Sequence, residues 1–426
     1  MDFSLITLGC DKNRVDSEKM LYNLQNAGHT LVNEKDAEFI IINTCAFIDK
    51  AKKEAINTIL EVSELKKSGK LKKLIVTGCF AQRYGSEAEF DEVDIFVNIA
   101  EEGDIVKKVD ELFGKYGCDY VFENKRTLTT PLHYAYLKIA DGCNNRCSYC
   151  AIPYIRGKYV SRPMEEILEE AKELAKEKVK ELILVAQDTT YYGKDIYGEY
   201  SLCRLIEELT KLDFWKIRIM YAYPERIDGK LLDIVSNNEK VAKYLDIPFQ
   251  HIDDKVLKSM NRRSGEKDIR ALLNKIQTSY SNIALRSSFI VGYPTEDLDA
   301  NIKLREFVKN ALDYSGFFSY SKEEGTPAYN LKATQNKKTI QSWVNECEKA
   351  QVISTFEKQK KYVNKIIEVL YEGIDYKKQC FYGRSEYNAP EIDTYVYFTS
   401  EQKLEIGGVY KVKITSTDFH LYGETV

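Results

Sequence analysis

Apolar runs alternate with amphipathic helical stretches over most of this chain. Strand-like runs at residues 3–8, 39–42, 74–77 and 94–97 are separated by helical stretches at 16–27 and 50–67. About six further strand–helix units follow between residues 128 and 361. Strands that alternate with helices pair in parallel and carry helices on their faces. The pattern predicts an α/β protein, with an open parallel sheet over residues 1–122 and a (β/α) barrel or partial barrel over 128–361.

The remaining residues, 362–426, have a different pattern. Five short alternating runs, at 366–371, 379–384, 394–398, 409–415 and 420–423, are separated by turn residues. They predict a small antiparallel β-barrel or sandwich as a third domain. Such modules often bind nucleic acid through a basic face, but this segment has seven Lys or Arg against ten Asp or Glu, a net charge of −3. Its charge favours a basic partner.

Composition places the chain in a compartment and excludes some functions. A net charge of −4 gives no overall attraction to nucleic acid. Without a basic leader or a long apolar run, we expect a cytoplasmic protein with no membrane contact. In a reducing compartment, ten cysteines favour metal binding or catalysis over disulfides, and four histidines argue against a histidine-built metal centre.

Three cysteines stand close together in the loop Cys143-Asn-Asn-Arg-Cys147-Ser-Tyr-Cys150, after the strand-like run at 136–140. Three thiolates can hold one face of an iron–sulfur cubane and leave its fourth iron open to a small molecule. A zinc site lacking one ligand and a redox pair with a spare thiol are the alternatives. Both usually have Cys-x-x-Cys pairs, which the four-residue first step does not match.

Three further cysteines occupy equivalent positions in the first domain. Cys10, Cys45 and Cys79 each come just after a predicted strand. Because the carboxyl ends of parallel strands meet at one edge of the sheet, these thiols should converge. They predict a second cluster site, although each could instead be a small buried residue. The other four cysteines are expected only to fill space: Cys118, Cys203, Cys347 and Cys380.

Polar residues and glycines also follow strands of the predicted barrel. Gln187 and Asp188 come after the run at 182–186, residues 248–251 after another, and Gly292 after the run at 284–291. Residues at this mouth of a barrel carry function in many enzymes. Each also has a structural interpretation, as a turn former, a helix-entry residue or a site of backbone relief.

Taken together, these motifs resemble a known family. The segment DGCNNRCSYCAIPYIRG (141–157), with Tyr149 before the last cysteine, resembles the signature of radical S-adenosylmethionine (SAM) enzymes. Cys10, Cys45 and Cys79, together with the small end domain, resemble the methylthiotransferase branch, whose end domain is called TRAM. The resemblance covers essentially the whole chain.

Within that branch, one lineage modifies an aspartate of small-subunit ribosomal protein uS12 and another modifies a tRNA adenosine. The segment LGCDKNRVDSE (8–18), with Lys12 and Asn13 after the cysteine, is similar to the ribosomal-protein lineage. So are YLDIPFQH (244–251), FSYSKEEGTP (318–327) and GRSEYNAPEID (383–393). One departure stands at 294–296, where Pro-Thr-Glu replaces the usual Pro-Gly-Glu.

The resemblance implies a transferase with two 4Fe–4S clusters. Cys143, Cys147 and Cys150 would hold the catalytic cluster that binds SAM, and Cys10, Cys45 and Cys79 an auxiliary cluster that handles sulfur. Two SAM molecules would be used per turnover, to add a methylthio group to the aspartate β-carbon. Residues implied in the cofactor site are Tyr149, Gln187, Asp188 and Gly292.

The implied partners are uS12, a reductase as electron donor, and a sulfur donor. Both the first and the last domain would hold the protein substrate. The alternatives are a tRNA adenosine methylthiotransferase, the one case with tRNA as substrate, and a non-catalytic two-cluster electron carrier.

Overall fold

The computed structural model describes residues 1–87, 90–116 and 120–426, so Cys118 lies outside the described residues. They form two compact units. The first comprises Met1–Thr129, Tyr136–Val160 and Ser321–Tyr329, and the second Thr130–Ala135, Ser161–Tyr320 and Asn330–Val426. These units do not follow the three predicted domains, because the cysteine loop groups with the first unit. The division into 1–122, 128–361 and 362–426 therefore stays a prediction.

The first unit contains a five-stranded sheet whose pairings are all parallel, in the order β2-β1-β3-β4-β5. Its elements are β1 (Asp2–Thr7), α1 (Asp11–Asn26), β2 (Thr30–Leu31), β3 (Phe39–Thr44), α2 (Asp49–Lys67), β4 (Lys73–Gly78), α3 (Cys79–Tyr84), β5 (Ile95–Phe96), a 3-10 helix (Ile99–Asp104) and α4 (Ile105–Leu112). Successive side chains of β3 enter opposite cores: Ile40 and Ile42 pack with α2, Phe39 and Ile41 with α1. The predicted parallel sheet is confirmed.

Two helices of this unit differ from the predictions. Helix α1 begins at Asp11, directly after Cys10, and not at residue 16. Cys10 has extended backbone, and Asp11 places a negative charge in the first turn, where the helix dipole favours it. Helix α4 was not predicted; its eight residues are close to the shortest length that a periodic pattern can reveal.

A six-stranded sheet in the order β13-β12-β11-β10-β9-β6 confirms the predicted partial barrel, and β9 to β13 pair in parallel. Its first strand in the chain is β6 (Tyr134–Lys138), and the segment after that strand contains β7 (Ala140–Asp141), α5 (Ile152–Ile155) and β8 (Val160–Ser161). The following elements are α6 (Met164–Lys176), β9 (Glu181–Val185), α7 (Leu202–Leu209), β10 (Lys216–Ile219), α8 (Gly229–Asn237), β11 (Val241–Asp246), α9 (Asp254–Ser259), α10 (Glu266–Ser279), β12 (Ala284–Val291), α11 (Leu298–Ala311) and β13 (Tyr314–Ser319). In the part of the chain that the structure describes, we find no helix with the length and apolar character needed to cross a bilayer.

A helix of 23 residues, α12 (Lys337–Gln359), was missed in the sequence. Its buried face is partly polar, so the apolar periodicity that marks a helix is weak. The Ser354 hydroxyl donates to the Leu312 carbonyl at 2.6 Å, and the Thr355 hydroxyl donates to the Asp313 carbonyl at 2.8 Å. These hydrogen bonds satisfy backbone carbonyls just before β13. The spacing of apolar residues in the sequence gives no sign of such contacts.

The last 60 residues close into a five-stranded barrel, as predicted. Its strands are β14 (Ile366–Asp375), β15 (Cys380–Arg384), β16 (Val396–Thr399), β17 (Val409–Thr417) and β18 (Leu421–Thr425). Four of its five pairings are antiparallel, whereas β16 and β18 pair in parallel and complete the ring. Val369, Val396 and Phe398 belong to its apolar core.

Buried charges join this barrel to the six-stranded sheet within the second unit. Glu181, the first residue of β9, accepts a hydrogen bond from Arg218 of β10 at 2.7 Å and forms an ion pair with Arg384 of β15 at 2.6 Å. The side chains of all three are at most 1% exposed. Arg384 also pairs with Glu372 of β14 at 2.7 Å. Two carboxylates, Glu181 and Glu372, therefore balance two guanidinium groups that have almost no access to water, and Glu181 is the one that both arginines share.

Replacing that carboxylate should strongly destabilise the second unit. In Glu181→Ala, two buried arginines lose a shared partner, and breaking such a pair from one side costs about 3–5 kcal/mol. Urea unfolding can be followed by the fluorescence of Trp215 and Trp343, which both lie in this unit. Glu208→Ala, which removes an exposed pair with Lys211, is the matched control and should change stability by less than about 1 kcal/mol. Equal midpoints for the two variants would show that the buried network contributes little.

Candidate functional site

The three cysteines of the first sheet lie at one edge, as their positions in the sequence predicted. Cys45 directly follows β3, and Cys79 is the first residue of α3, directly after β4. Cys10 immediately precedes α1 and follows β1 by three residues. Because β1, β3 and β4 are neighbours in the sheet, the carboxyl ends of three adjacent strands bring these thiols together.

Close packing at Gly9 shows how near these loops are to each other. Gly9 has a φ of +91°, and a Cβ built on it would lie 2.6 Å from the Cβ and 3.0 Å from the Sγ of Cys45. A side chain at position 9 would therefore fill the space beside the Cys45 thiol. Gly78, with a φ of +85°, is equally constrained, because its Cβ would collide with the Thr44 backbone.

The three thiols also affect one another electrostatically. Burial raises the pKa of the Cys45 thiol to about 12, and negative charge on Cys79 or Cys10 would raise that pKa further. Burial also raises the pKa of the Cys79 thiol, which is 3% exposed. Thiols held in this way stay protonated at neutral pH until a metal takes the place of the proton.

Asn13 is a residue of this site that the sequence analysis used only as a lineage marker. Its side-chain amide donates to the Leu8 carbonyl at 3.0 Å and to the Thr44 carbonyl at 2.9 Å, and its oxygen lies 4.0 Å from the Sγ of Cys79. Asn13 thus connects the chain just before Cys10, the chain just before Cys45, and Cys79 itself. Only the position three residues after Cys10, one turn into α1, could have indicated this role.

The second group of cysteines lies in the loop between β7 and α5. Cys147 is buried, whereas Cys143 and Cys150 are partly exposed. The backbone N–H of Asn145 and its side-chain amide each donate to the Sγ of Cys143 at 3.5 Å. Such donors stabilise a thiolate. Tyr149 is partly exposed in the same loop.

Both groups of cysteines suit an iron–sulfur cluster. Among residues 1–87, 90–116 and 120–426, no three His, Cys, Asp or Glu side chains are arranged as ligands of a single metal ion. The cysteines of a cubane each bind a different iron, so they surround a cluster and do not meet at one point. Three thiols at each site, the space kept by Gly9 and the donors to Cys143 fit this requirement.

In the second unit, the Asp188 carboxylate forms a hydrogen bond and an ion pair with neighbouring side chains. The side chain is fully buried, accepts from the Thr190 hydroxyl at 2.6 Å and pairs with Arg226 at 2.6 Å. Burial lowers the pKa of Arg226, but Asp188, Tyr200 and Glu225 together more than offset this and the net pKa is raised. Gln187, beside it, is partly exposed. The contacts of Gln187 and Asp188 with a cofactor stay predictions.

Position 292, directly after β12, accepts only glycine without strain. Its φ is +80°, its N–H donates to the Glu296 carboxylate at 2.5 Å, and a Cβ would lie 2.5 Å from the Cγ1 of Ile340 in α12. Backbone geometry and packing therefore explain the glycine. Its role in binding a cofactor also stays a prediction.

Comparison with known proteins adds to this geometry. Three family models match in succession: the uncharacterized protein family UPF0004 at residues 2–98, the radical SAM superfamily at 137–308, and the TRAM domain at 363–426. The ribosomal protein uS12 methylthiotransferase RimO of Clostridium botulinum (strain Okra / Type B1) is 42% identical, over 99% of this chain and 97% of the relative. The protein of the same name from Acetivibrio thermocellus is 44% identical, over 99% of this chain and 98% of the relative. The chain belongs to the RimO family of radical SAM methylthiotransferases.

Membership of the RimO family confirms the predicted enzyme class. It also supports SAM and an iron–sulfur cluster as cofactors. Among solved structures, the radical SAM methyltransferase TsrM from Kitasatospora setae, with cobalamin and a [4Fe-4S] cluster bound, matches with a TM-score of 0.54 at 13% identity. That match covers 77% of this chain and 76% of TsrM, and it shows a shared fold.

Proposed function

We propose that this enzyme adds a methylthio group to the β-carbon of an aspartate in ribosomal protein uS12, using two 4Fe–4S clusters. The observation that carries the proposal is the pair of three-cysteine sites in one compact unit, in a chain aligned end to end with relatives named uS12 methylthiotransferases. An electron carrier would bind both clusters with four cysteines each. Three cysteines at each site leave an iron open in both.

The two sites divide the chemistry between them. Cys143, Cys147 and Cys150 would hold the cluster that, with SAM, supplies a radical able to abstract hydrogen from an unactivated carbon. The Asn145 donors stabilise the thiolate of Cys143, the most amino-terminal of these ligands. Tyr149, Gln187, Asp188 and Gly292 are the proposed surroundings of the cofactor.

Cys10, Cys45 and Cys79 would hold the auxiliary cluster that handles the sulfur. Cys45 and Cys79 are 7% and 3% exposed, so the protein shields these two thiols from water, whereas Cys10 is exposed. A second SAM is the methyl source. A reductase and a sulfur donor complete the reaction, in the cytoplasm, where the ribosomal substrate occurs.

Charge supports a protein substrate over tRNA. The barrel at 363–426 has a net charge of −3, which suits a basic ribosomal protein and repels phosphate. The relatives' names also favour the uS12 lineage over the tRNA lineage.

A direct comparison of substrates tests the proposal. Reconstituted enzyme is incubated with SAM and a strong reductant, and with purified uS12, assembled small subunits or tRNA. We expect a mass increase of one methylthio group on a single uS12 aspartate, and no modified adenosine in the tRNA digest. Methylthiolated adenosine with unmodified uS12 would replace this proposal with the tRNA activity. Cluster reduction without SAM cleavage would favour the electron carrier.

A further inference from the structure

Four charged side chains form a largely buried group within the first unit. Lys138 of β6 contacts Asp16 of α1 and pairs with Asp141 of β7 at 3.1 Å. Arg156, just after α5, donates to Asp141 at 2.6 Å and pairs with Asp16 at 3.3 Å. The Arg156 side chain is 2% exposed. Two cations therefore share two carboxylates, and all but the 27% exposed Asp141 are largely shielded from water, where each charge needs a partner.

One side of Arg156 faces the strand-end cysteines. Its Nη2 donates at 2.6 Å to the side-chain oxygen of Asn13, the residue that connects the chain before Cys10, the chain before Cys45, and Cys79. The same Asn13 oxygen lies 4.0 Å from the Sγ of Cys79, so Arg156 and Cys79 meet at one amide oxygen. The guanidinium is thus a cation one hydrogen-bonded atom away from a proposed auxiliary ligand.

The backbone next to Arg156 is hydrogen-bonded to the loop that carries Cys143, Cys147 and Cys150. The N–H of Cys143 donates to the Gly157 carbonyl at 3.2 Å. Gly142 has a φ of +73°, and a Cβ there would collide with the Lys158 carbonyl. The Asp141 carboxylate that accepts from Arg156 also accepts from the Gly142 N–H at 2.8 Å. A shift of Arg156 would therefore move the chain that enters the Cys143 loop.

We propose that Arg156 is a positioning residue that couples the two cysteine sites, by fixing the Cys143 loop against Asn13 and by placing a positive charge beside the auxiliary thiolates. The inference rests on the proposed two-cluster function. A buried cation beside a thiolate-bound cluster stabilises the reduced, more negative state and raises the reduction potential. Its charge acts strongly there because little water screens it.

The test measures the reduction potential of the auxiliary cluster alone. In a Cys147→Ala background, electron paramagnetic resonance during a redox titration should show one cluster. Adding Arg156→Gln should move its midpoint to more negative potential. Arg156→Lys keeps the charge but loses the planar fork, so the midpoint should stay close to that of the parent. Lys138→Gln, which removes the other cation from the same carboxylates, is the matched control and should give a smaller shift.

Product formation supplies the second readout, and it is measured in enzyme that keeps the native Cys147. We expect Arg156→Gln and Arg156→Lys to lower methylthio product formed per 5′-deoxyadenosine by about tenfold, since the geometry between the sites is disturbed in both. An unchanged midpoint in Arg156→Gln, or equal shifts in Arg156→Gln and Arg156→Lys, would overturn the inference and leave the two-cluster function standing. Absence of any cluster in Cys147→Ala would instead overturn the two-cluster function.

Discussion

Cys147→Ala is expected to abolish 5′-deoxyadenosine formation while leaving one cluster in place. Cys147 is the buried member of the 143–150 loop, and a cubane held by two thiolates would be lost. Iron should fall from about eight to about four per chain, and SAM cleavage should fall to background, because no other site supplies the radical. Iron analysis and chromatographic detection of 5′-deoxyadenosine measure the two effects.

A cysteine outside both sites provides the control. Cys380 lies on β15 of the small barrel, and Cys380→Ala should keep full iron and full SAM cleavage. Loss of all iron in Cys147→Ala, or unaffected SAM cleavage, would contradict the assignment of two separate cluster sites.

Cys79→Ala should spare SAM cleavage and abolish methylthio transfer, whereas Cys147→Ala should abolish SAM cleavage itself. Removing a proposed auxiliary ligand should leave the proposed SAM-cleaving site intact, so 5′-deoxyadenosine formation should stay within about threefold of the parent enzyme. Methylthio product should fall by at least about a hundredfold, because the site that handles sulfur is lost. Both products can be quantified in the same reaction by mass spectrometry.

Cys203→Ala, in α7 of the second unit, is the control for this variant. It removes a partly buried thiol at no proposed site, so the ratio of the two products should not change. If Cys79→Ala kept the normal product ratio, the strand-end cysteines would be structural residues, as each of them could be on its own.

The sequence predicted the architecture well, because the signals for it are local. Period-2 and period-3.6 patterns identified both sheets, and the positions of Cys10, Cys45 and Cys79 relative to strands were enough to place them at one edge. The missed α12 had no such signal: Gln351, Ser354 and Thr355 on its buried face donate hydrogen bonds whose acceptors depend on the fold.

The connections around the site could not be predicted in the same way. Asn13 and Arg156 are 143 residues apart, and nothing in their local sequence indicates that their side chains meet. The segment GRSEYNAPEID (383–393) was recognised as a lineage marker, but its physical role appears only in the structure. There Arg384 pairs with Glu181, and Asp393 accepts from the Tyr244 hydroxyl at 2.6 Å.

These pairings make the small barrel inseparable from the six-stranded sheet. Proteins are often dissected by deleting a terminal module and assaying what remains, on the assumption that the remainder is intact. Here, deleting residues 363–426 would remove Arg384 from Glu181 and Asp393 from Arg286. It would also expose the first residues of β9 and β12, where Glu181 and Arg286 lie. An inactive truncated chain would therefore say nothing about substrate recognition. Surface substitutions on the barrel, which leave the shared charges untouched, are the informative way to ask what the barrel binds.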